Sequence, residues 1–124
     1  MSNKERKILI VDDDTRNIFA LKAVLRSRSY TSITATDMLE AFSLLAAHTD
    51  IGVVLLDMMM PEMDGYEAIP AIRKNKGYDH IPIVAVTAQA MMGDRERCLQ
   101  AGANAYIAKP VDVDELTHLL DTYF

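Results

Sequence analysis

The sequence holds one cysteine, Cys98, so no disulfide can form within the chain. That excludes a disulfide-stapled scaffold and fits a reducing compartment. No apolar run approaches the ~20 residues that span a bilayer. The opening "MSNKERK" is basic, but only "ILIV" follows before three aspartates, too short for the apolar region of a signal peptide. These absences predict a cytoplasmic protein without membrane insertion. An excess of basic charge is also missing. The formal net charge is -5, which argues against direct nucleic-acid binding, since that needs many phosphate-neutralising Lys and Arg. Finally, there is no Gly-rich phosphate loop of the Walker type, hence no evident nucleotide pocket.

What remains is ordinary globular material. The 124 residues are half hydrophobic and one quarter charged. No linker or low-complexity stretch divides them. One domain over residues 1–124 is predicted, with its core from about residue 7 to residue 123. Short β-rich apolar runs occur at Lys7–Val11, Ser32–Ala35, Val53–Leu56, Ile83–Val86 and Ala105–Ala108. Continuous runs of this kind suit strands buried on both faces. The second is the weakest and reads as an edge.

Helical spacing alternates with these runs. Ile18, Leu21 and Leu25 share a face, as do Ala41, Leu44, Leu45 and His48, and later Leu116, Leu119, Leu120 and Tyr123. Asp37 with Glu40 and Asp112 with Glu115 read as helix N-caps with a glutamate three residues on. Gly102 suits the end of the fourth helix. Pro70 in "GYEAIPAIRK" conflicts with a long third helix, so a start near Glu67 or a kink is expected. Five βα units imply an open, doubly wound parallel sheet with helices on both faces. Ligands bind such sheets beyond the carboxyl ends of the strands.

The residues that follow the apolar runs are polar and mutually suited. Asp12, Asp13 and Asp14 follow the first, Asp57 the third, Thr87 the fourth, and Lys109 with Pro110 the fifth. A parallel sheet brings these ends to one edge. Three carboxylates held together repel, and a hard divalent cation relieves the conflict. Mg²⁺ takes oxygen ligands, commonly one or two carboxylates plus water and phosphate. Lys109 and Thr87 add an ammonium and a hydroxyl for phosphate oxygens. The set describes a phosphoryl site whose available nucleophile is a carboxylate.

At these residues the sequence resembles a known family. "ILIVDDD", "VVLLDMMMPEMDG", "PIVAVTA" and "AYIAKP" are similar to the signature segments of response-regulator receiver domains, from Lys7 to about Tyr123. The resemblance implies the flavodoxin-like (βα)5 three-layer sandwich, with strand order 2-1-3-4-5. It implies Asp57 as phosphoacceptor, and Mg²⁺ (or Mn²⁺ in its place) on Asp13, Asp57 and the Met59 backbone carbonyl, with Asp12 acting mainly through metal-bound water. Lys109 would pair with Asp57 and then with its phosphoryl group. Thr87 and Tyr106 are the implied switch residues, and the Lys109–Pro110 bond is implied to be cis. The implied partners are a histidine kinase or histidine phosphotransfer domain, and a downstream protein or intramolecular output partner at the face of the fourth helix, fifth strand and fifth helix. "DDDTRNIFAL", "MMMPEMDGYEAI" and "TAQAMMGDRERCLQAGANAYIAKPV" further resemble receivers of hybrid histidine kinases. Whether the chain stands alone or belongs to a larger sensor stays open.

Met59 and Gln89, two residues beyond Asp57 and Thr87, occupy the positions that tune phosphoryl loss in this family. Met59 cannot orient water by hydrogen bonding, so slow self-dephosphorylation is expected. Taken singly, the same residues have plainer readings. Asp12 to Asp14 suit a helix start, Asp57 a turn and Lys109 a surface charge. Tyr106 suits strand packing. Met58 and Met60 read as core or pocket-rim packing. His48, His80 and His118 are scattered rather than zinc-like, and Cys98 reads as a small apolar residue. Two rival functions remain: a Mg²⁺-dependent phosphohydrolase, and a pseudo-receiver that binds partners without phosphorylation. The hydrolase lacks the aspartate expected where Met59 stands. A pseudo-receiver would be expected to have lost Asp57, Lys109 or the acidic pair.

Overall fold

The computed structural model describes residues 6–88 and 93–124. Its elements alternate without exception among the described residues: β1 (Lys7–Val11), α1 (Thr15–Ser27), β2 (Thr31–Ala35), α2 (Met38–Ala47), β3 (Ile51–Asp57), α3 (Gly65–Arg73), β4 (Ile83–Thr87), α4 (Asp94–Ala101), β5 (Ala105–Ala108) and α5 (Val113–Tyr123). The strands form one parallel sheet in the order β2-β1-β3-β4-β5. The weak second run is an edge strand, as its composition predicts.

Successive strand side chains point to opposite faces, and here each face has its own core. Leu9, Val11, Val54, Leu56 and Ala85 face α2, α3 and α4. Ile8, Ile10, Val53, Leu55 and Val84 face α1 and α5. All seven residues of β3 are buried. Its terminal carboxylate is therefore delivered by a strand enclosed along its whole length.

The helix starts follow the capping logic. Asp37 and Asp112 each accept the backbone N–H three residues on, from Glu40 at 2.8 Å and Glu115 at 2.9 Å. Glu40 reaches back to the Thr36 N–H at 2.8 Å. Gly102 ends α4 at φ 119°, in the left-handed region where a Cβ is disfavoured.

The late start, one of the two expectations for the third helix, is not found. The helix starts at Gly65, not near Glu67, and Pro70 lies inside it, beyond the first turn. Such a proline forgoes one helical hydrogen bond, at a cost of ~3 kcal/mol or more. Two local features hold the early start. Asp64 caps the helix through the Glu67 N–H at 3.0 Å. Gly65 donates to the Met58 carbonyl at 3.1 Å, and its missing side chain is needed there: a Cβ would lie 2.1 Å from Met58 Sδ and 2.9 Å from Met58 Cα. Downstream, Ala68, Ile69 and Ile72 are fully buried. Burial of this face, at ~1.5–3 kcal/mol for each large side chain, offsets the proline.

Candidate functional site at the carboxyl edge of the sheet

Four strand ends supply the site. Asp12 follows β1 directly, and its N–H donates to the Ala35 carbonyl at 3.1 Å, fixing the turn. Asp57 is the last residue of β3 and Thr87 the last of β4. Lys109 follows β5, and its N–H donates to the Thr87 carbonyl at 2.8 Å. The strands are hydrogen-bonded neighbours, so sequence distances of 22 to 97 residues collapse to one small patch.

Asp12 and Asp57 are only 3% and 5% exposed, whereas Asp13 is open to solvent. One carboxylate oxygen from each of the three lies within 4.8 Å of the others. Among the described residues this is the sole cluster with the makings of a cation site. Lys109 Nζ stands 3.5 Å from Asp12 Oδ2 and 3.7 Å from Asp57 Oδ2. Asp12 also accepts the Asp14 N–H at 2.9 Å and Asn17 Nδ2 at 3.1 Å. Asp57 accepts the Met59 N–H at 3.0 Å.

Burial pushes the Asp57 carboxyl above its ordinary value, and the neighbouring Asp12 charge adds to the shift. The Met59 N–H and Lys109 oppose it. The site thus carries more negative charge than its one ammonium balances. An octahedral Mg²⁺ with oxygen ligands fits that donor set. Asp13, the exposed member, leaves the cluster accessible to water or phosphate.

Each residue singled out in the sequence can now be placed. Asp12, Asp13, Asp57, Thr87 and Lys109 converge. Asp14 is not part of the cluster; it caps α1 by accepting the Arg16 N–H at 3.0 Å. Met59, two residues beyond Asp57, is 47% exposed, while Met58 and Met60 are buried. Tyr106 is half-buried against the core on the α3–α4 side. The Lys109–Pro110 peptide is cis. Gln89 lies outside the described residues. Cys98 is buried, with its Sγ 3.8 Å from the Tyr66 hydroxyl. His48 caps α2, 3.5 Å from Lys7 Nζ, and none of the three histidines joins a metal-ligand cluster among the described residues.

Sequence reasoning missed Asn17. It sits in the first turn of α1, one helical turn beyond the cap, and its amide orients Asp12. The signal was available: Asn17 lies only five residues beyond Asp12, in the first turn of the helix that follows it.

An open parallel sheet with an acidic cluster, a hydroxyl and an ammonium at its switch point defines a doubly wound α/β domain with a polar site at its carboxyl edge. Comparison with known proteins is in accord with that class. The family model described as the response regulator receiver domain matches residues 8–121. The chain is 33% identical over 118 residues to the polar-differentiation response regulator DivK of Brucella ovis, covering 95% of both chains. It is 37% identical to the receiver domain of the sensor histidine kinase PA1611 from Pseudomonas aeruginosa, with a TM-score of 0.85 over 95% of this chain and 96% of that one. That structure has a magnesium ion coordinated in its active-site cleft. The chemotaxis protein CheY4 of Vibrio cholerae is 26% identical, with a TM-score of 0.87 over 96% and 98%. The chain belongs to the response regulator receiver domain family, the signalling domains of two-component systems. No helix among the described residues is long and apolar enough to cross a membrane.

Proposed function

We propose that the chain is a single phosphoacceptor domain that takes a phosphoryl group from a phosphohistidine of a histidine kinase or phosphotransfer domain onto Asp57. The observation that carries this reading is the nearly buried Asp57 carboxylate at the end of β3, flanked by Asp12, Asp13 and Lys109. A carboxylate oxygen attacks phosphorus, the phosphorus–nitrogen bond breaks, and the imidazole leaves. Positioning and charge neutralisation carry most of such a transfer.

Asp12, Asp13, Asp57 and the Met59 carbonyl would hold Mg²⁺, or Mn²⁺ in its place. The ion, when bound, supplies positive charge to the equatorial phosphoryl oxygens. Asn17 and the Asp14 N–H keep Asp12 oriented. Lys109 exchanges its contact with the Asp57 carboxylate for one with the phosphoryl oxygens. Burial excludes bulk water from the acceptor. The product adds up to about two negative charges and new acceptor oxygens. Thr87 answers them with its hydroxyl, Tyr106 moves inward, and the face formed by α4, β5 and α5 meets the output partner. Met59 and Gln89 set the lifetime of the phosphorylated form. The cytoplasm is the proposed compartment, and the domain acts on itself rather than turning over a substrate.

Acetyl phosphate with Mg²⁺, followed by intact mass, tests the reading. A stable gain of one phosphoryl group, lost in Asp57→Asn, is the expected result. Rapid release of inorganic phosphate without accumulation would favour a hydrolase, and no reaction a partner-binding domain without phosphorylation.

A further inference from the structure

A groove of about 550 Å³ opens beside the carboxylate cluster, between the start of α2 and the loop joining β3 to α3. Its walls include Met38, Leu39, Phe42, Met60 and Met63, and Asp13 stands at its inner end. The volume lies in the range that encloses a small ligand or several side chains. Leu39 is 80% exposed on the rim, a large apolar side chain left in water. Three flexible thioethers give the lining an adaptable, polarizable surface of the kind used for peptide recognition. Glu62, also on the rim, holds φ 70° at the centre of a three-residue turn closed by the Met63 N–H on the Pro61 carbonyl at 2.8 Å. That turn form is rare and strained, and such strain recurs at ligand clamps.

The charge around the groove has one sign. From Arg28 to Arg73 the sequence contains no other lysine or arginine, but seven carboxylates. Asp13, Asp37 and Glu62 line the opening itself, with no basic residue among the lining. A nucleic acid or an anionic membrane would be repelled. A cationic partner with apolar anchors would be attracted and seated.

We propose that this groove docks a basic amphipathic helix of a partner protein, its apolar residues against Leu39, Phe42 and Met63 and its Lys or Arg side chains against Asp37 and Glu62. The mode is an apolar helix face laid in a groove, with an acidic rim setting specificity. The inference goes beyond phosphoacceptance, because binding here does not require Asp57 to react. A second copy of the chain is the main competitor. Its α1 carries Arg16, Lys22 and Arg26, no acidic residue in its first turn, and Phe19 77% exposed. Docking α1 of one copy in the groove of the next would be head-to-tail and open-ended, so a distinct partner is the assigned occupant.

The test uses the full chain and a capped synthetic helix of leucine and lysine at amphipathic spacing. A peptide with glutamate in place of lysine is the control. Amide chemical shifts are followed by titration. Saturable shifts at Leu39, Phe42 and Met63 are expected, absent with the glutamate peptide. Leu39→Glu, on the surface and neutral to folding, should weaken binding about ten-fold or more. Salt near ~1 M should weaken it as well. Shifts confined to α1, no saturable shifts, or an affinity unchanged by Leu39→Glu would overturn the assignment. So would concentration-dependent self-association of the chain alone that Phe19→Glu abolishes, since the occupant would then be a second copy.

Discussion

Lys109 Nζ lies between two nearly buried carboxylates, 3.5 Å from Asp12 and 3.7 Å from Asp57. Two negative charges at that spacing are tolerated only because a positive one faces both. The lysine is thus a structural counter-ion in the resting domain and a phosphoryl ligand in the proposed reaction. Lys109→Met separates these roles poorly by activity and well by stability. Without metal the variant should lose about 1 kcal/mol, a modest figure because the side chain is partly exposed. Saturating Mg²⁺ should recover most of that loss, while phosphorylation by acetyl phosphate stays at least about ten-fold slower. Denaturant melts with and without Mg²⁺ check the first part. Equal losses in both conditions would contradict it.

Asp57 is raised by burial first and by Asp12 second. Its folded carboxyl therefore holds a proton to higher pH than the unfolded chain, where the reference value is 3.8. The stabilising contribution of the protonated form is complete below that reference. It is lost as pH climbs through the folded value, so ionised Asp57 is a cost at neutral pH in the metal-free domain. Asp57→Asn should raise the melting temperature at pH 7 in chelator by about 2–6 °C, roughly 1 kcal/mol. The advantage should shrink as pH falls toward 4. A gap that stays constant with pH would rule out this origin.

Met59, two residues after Asp57, is about half exposed. Its thioether is too weak an acceptor to orient an attacking water. Met59→Asn should shorten the lifetime of the phosphorylated form several-fold, an effect of about 1 kcal/mol on the barrier, with little change in melting temperature. Decay followed by intact mass after removal of acetyl phosphate measures it. An unchanged lifetime would assign the control elsewhere.

Arg73 fastens the far end of α3. Its guanidinium donates to the carbonyls of Gly102, Asp79 and Ile81 and to Asn104 Oδ1, at distances of 2.7–3.1 Å. Asn104 Oδ1 in turn accepts the Ile83 N–H at 2.9 Å. One planar fork thereby joins the segments before β4 and after α4. Arg73→Met should cost about 2–4 kcal/mol, and Arg73→Lys should recover little, because an ammonium cannot span the same acceptors. Chemical denaturation of the two variants decides it; full rescue by lysine would mean that charge alone matters.

Gly65→Ala should cost at least about 2 kcal/mol, because its Cβ would overlap Met58 Sδ and press on Met58 Cα. Adding Met58→Ala should restore only part of the loss, since the backbone contact at 2.9 Å remains. Thermal melts of both variants test this. Full restoration would place the conflict in the thioether alone.

Much of the fold was legible because the local cues agree with one another. Apart from Lys7, the runs of the three interior strands β1, β3 and β4 are apolar, as strands covered on both faces must be. Asp37 and Asp112 announce their helices by capping. The candidate site was legible from the strand-end rule alone, since Asp12, Asp57, Thr87 and Lys109 each follow an apolar run. Pro70 misled because propensity is local while Gly65 and the buried Ala68–Ile69–Ile72 face act through tertiary contact. Arg73 was invisible for a related reason. Its partners come from other segments, up to 31 residues away, and a single polar residue in a helix carries no mark of what it will meet. The groove escaped notice because it joins two segments, the start of α2 and the β3–α3 loop, that are unremarkable apart.

The hydrogen bond from Gly65 N–H to the Met58 carbonyl ties residue 58 directly to the start of α3. Met58 is itself held from the other side, its N–H on the Val86 carbonyl at 2.9 Å. Residues 59–64 therefore leave and return at a closed base. Within that ring the exposed Met59, Pro61 and Glu62 can change side chain, under selection or in a designed library, while the buried Met60 and the Asp64 cap hold their places. Under the proposed function, those exposed positions give a lineage a place to retune the fit of a partner and the lifetime of the phosphoryl group while the strand-end chemistry stands still.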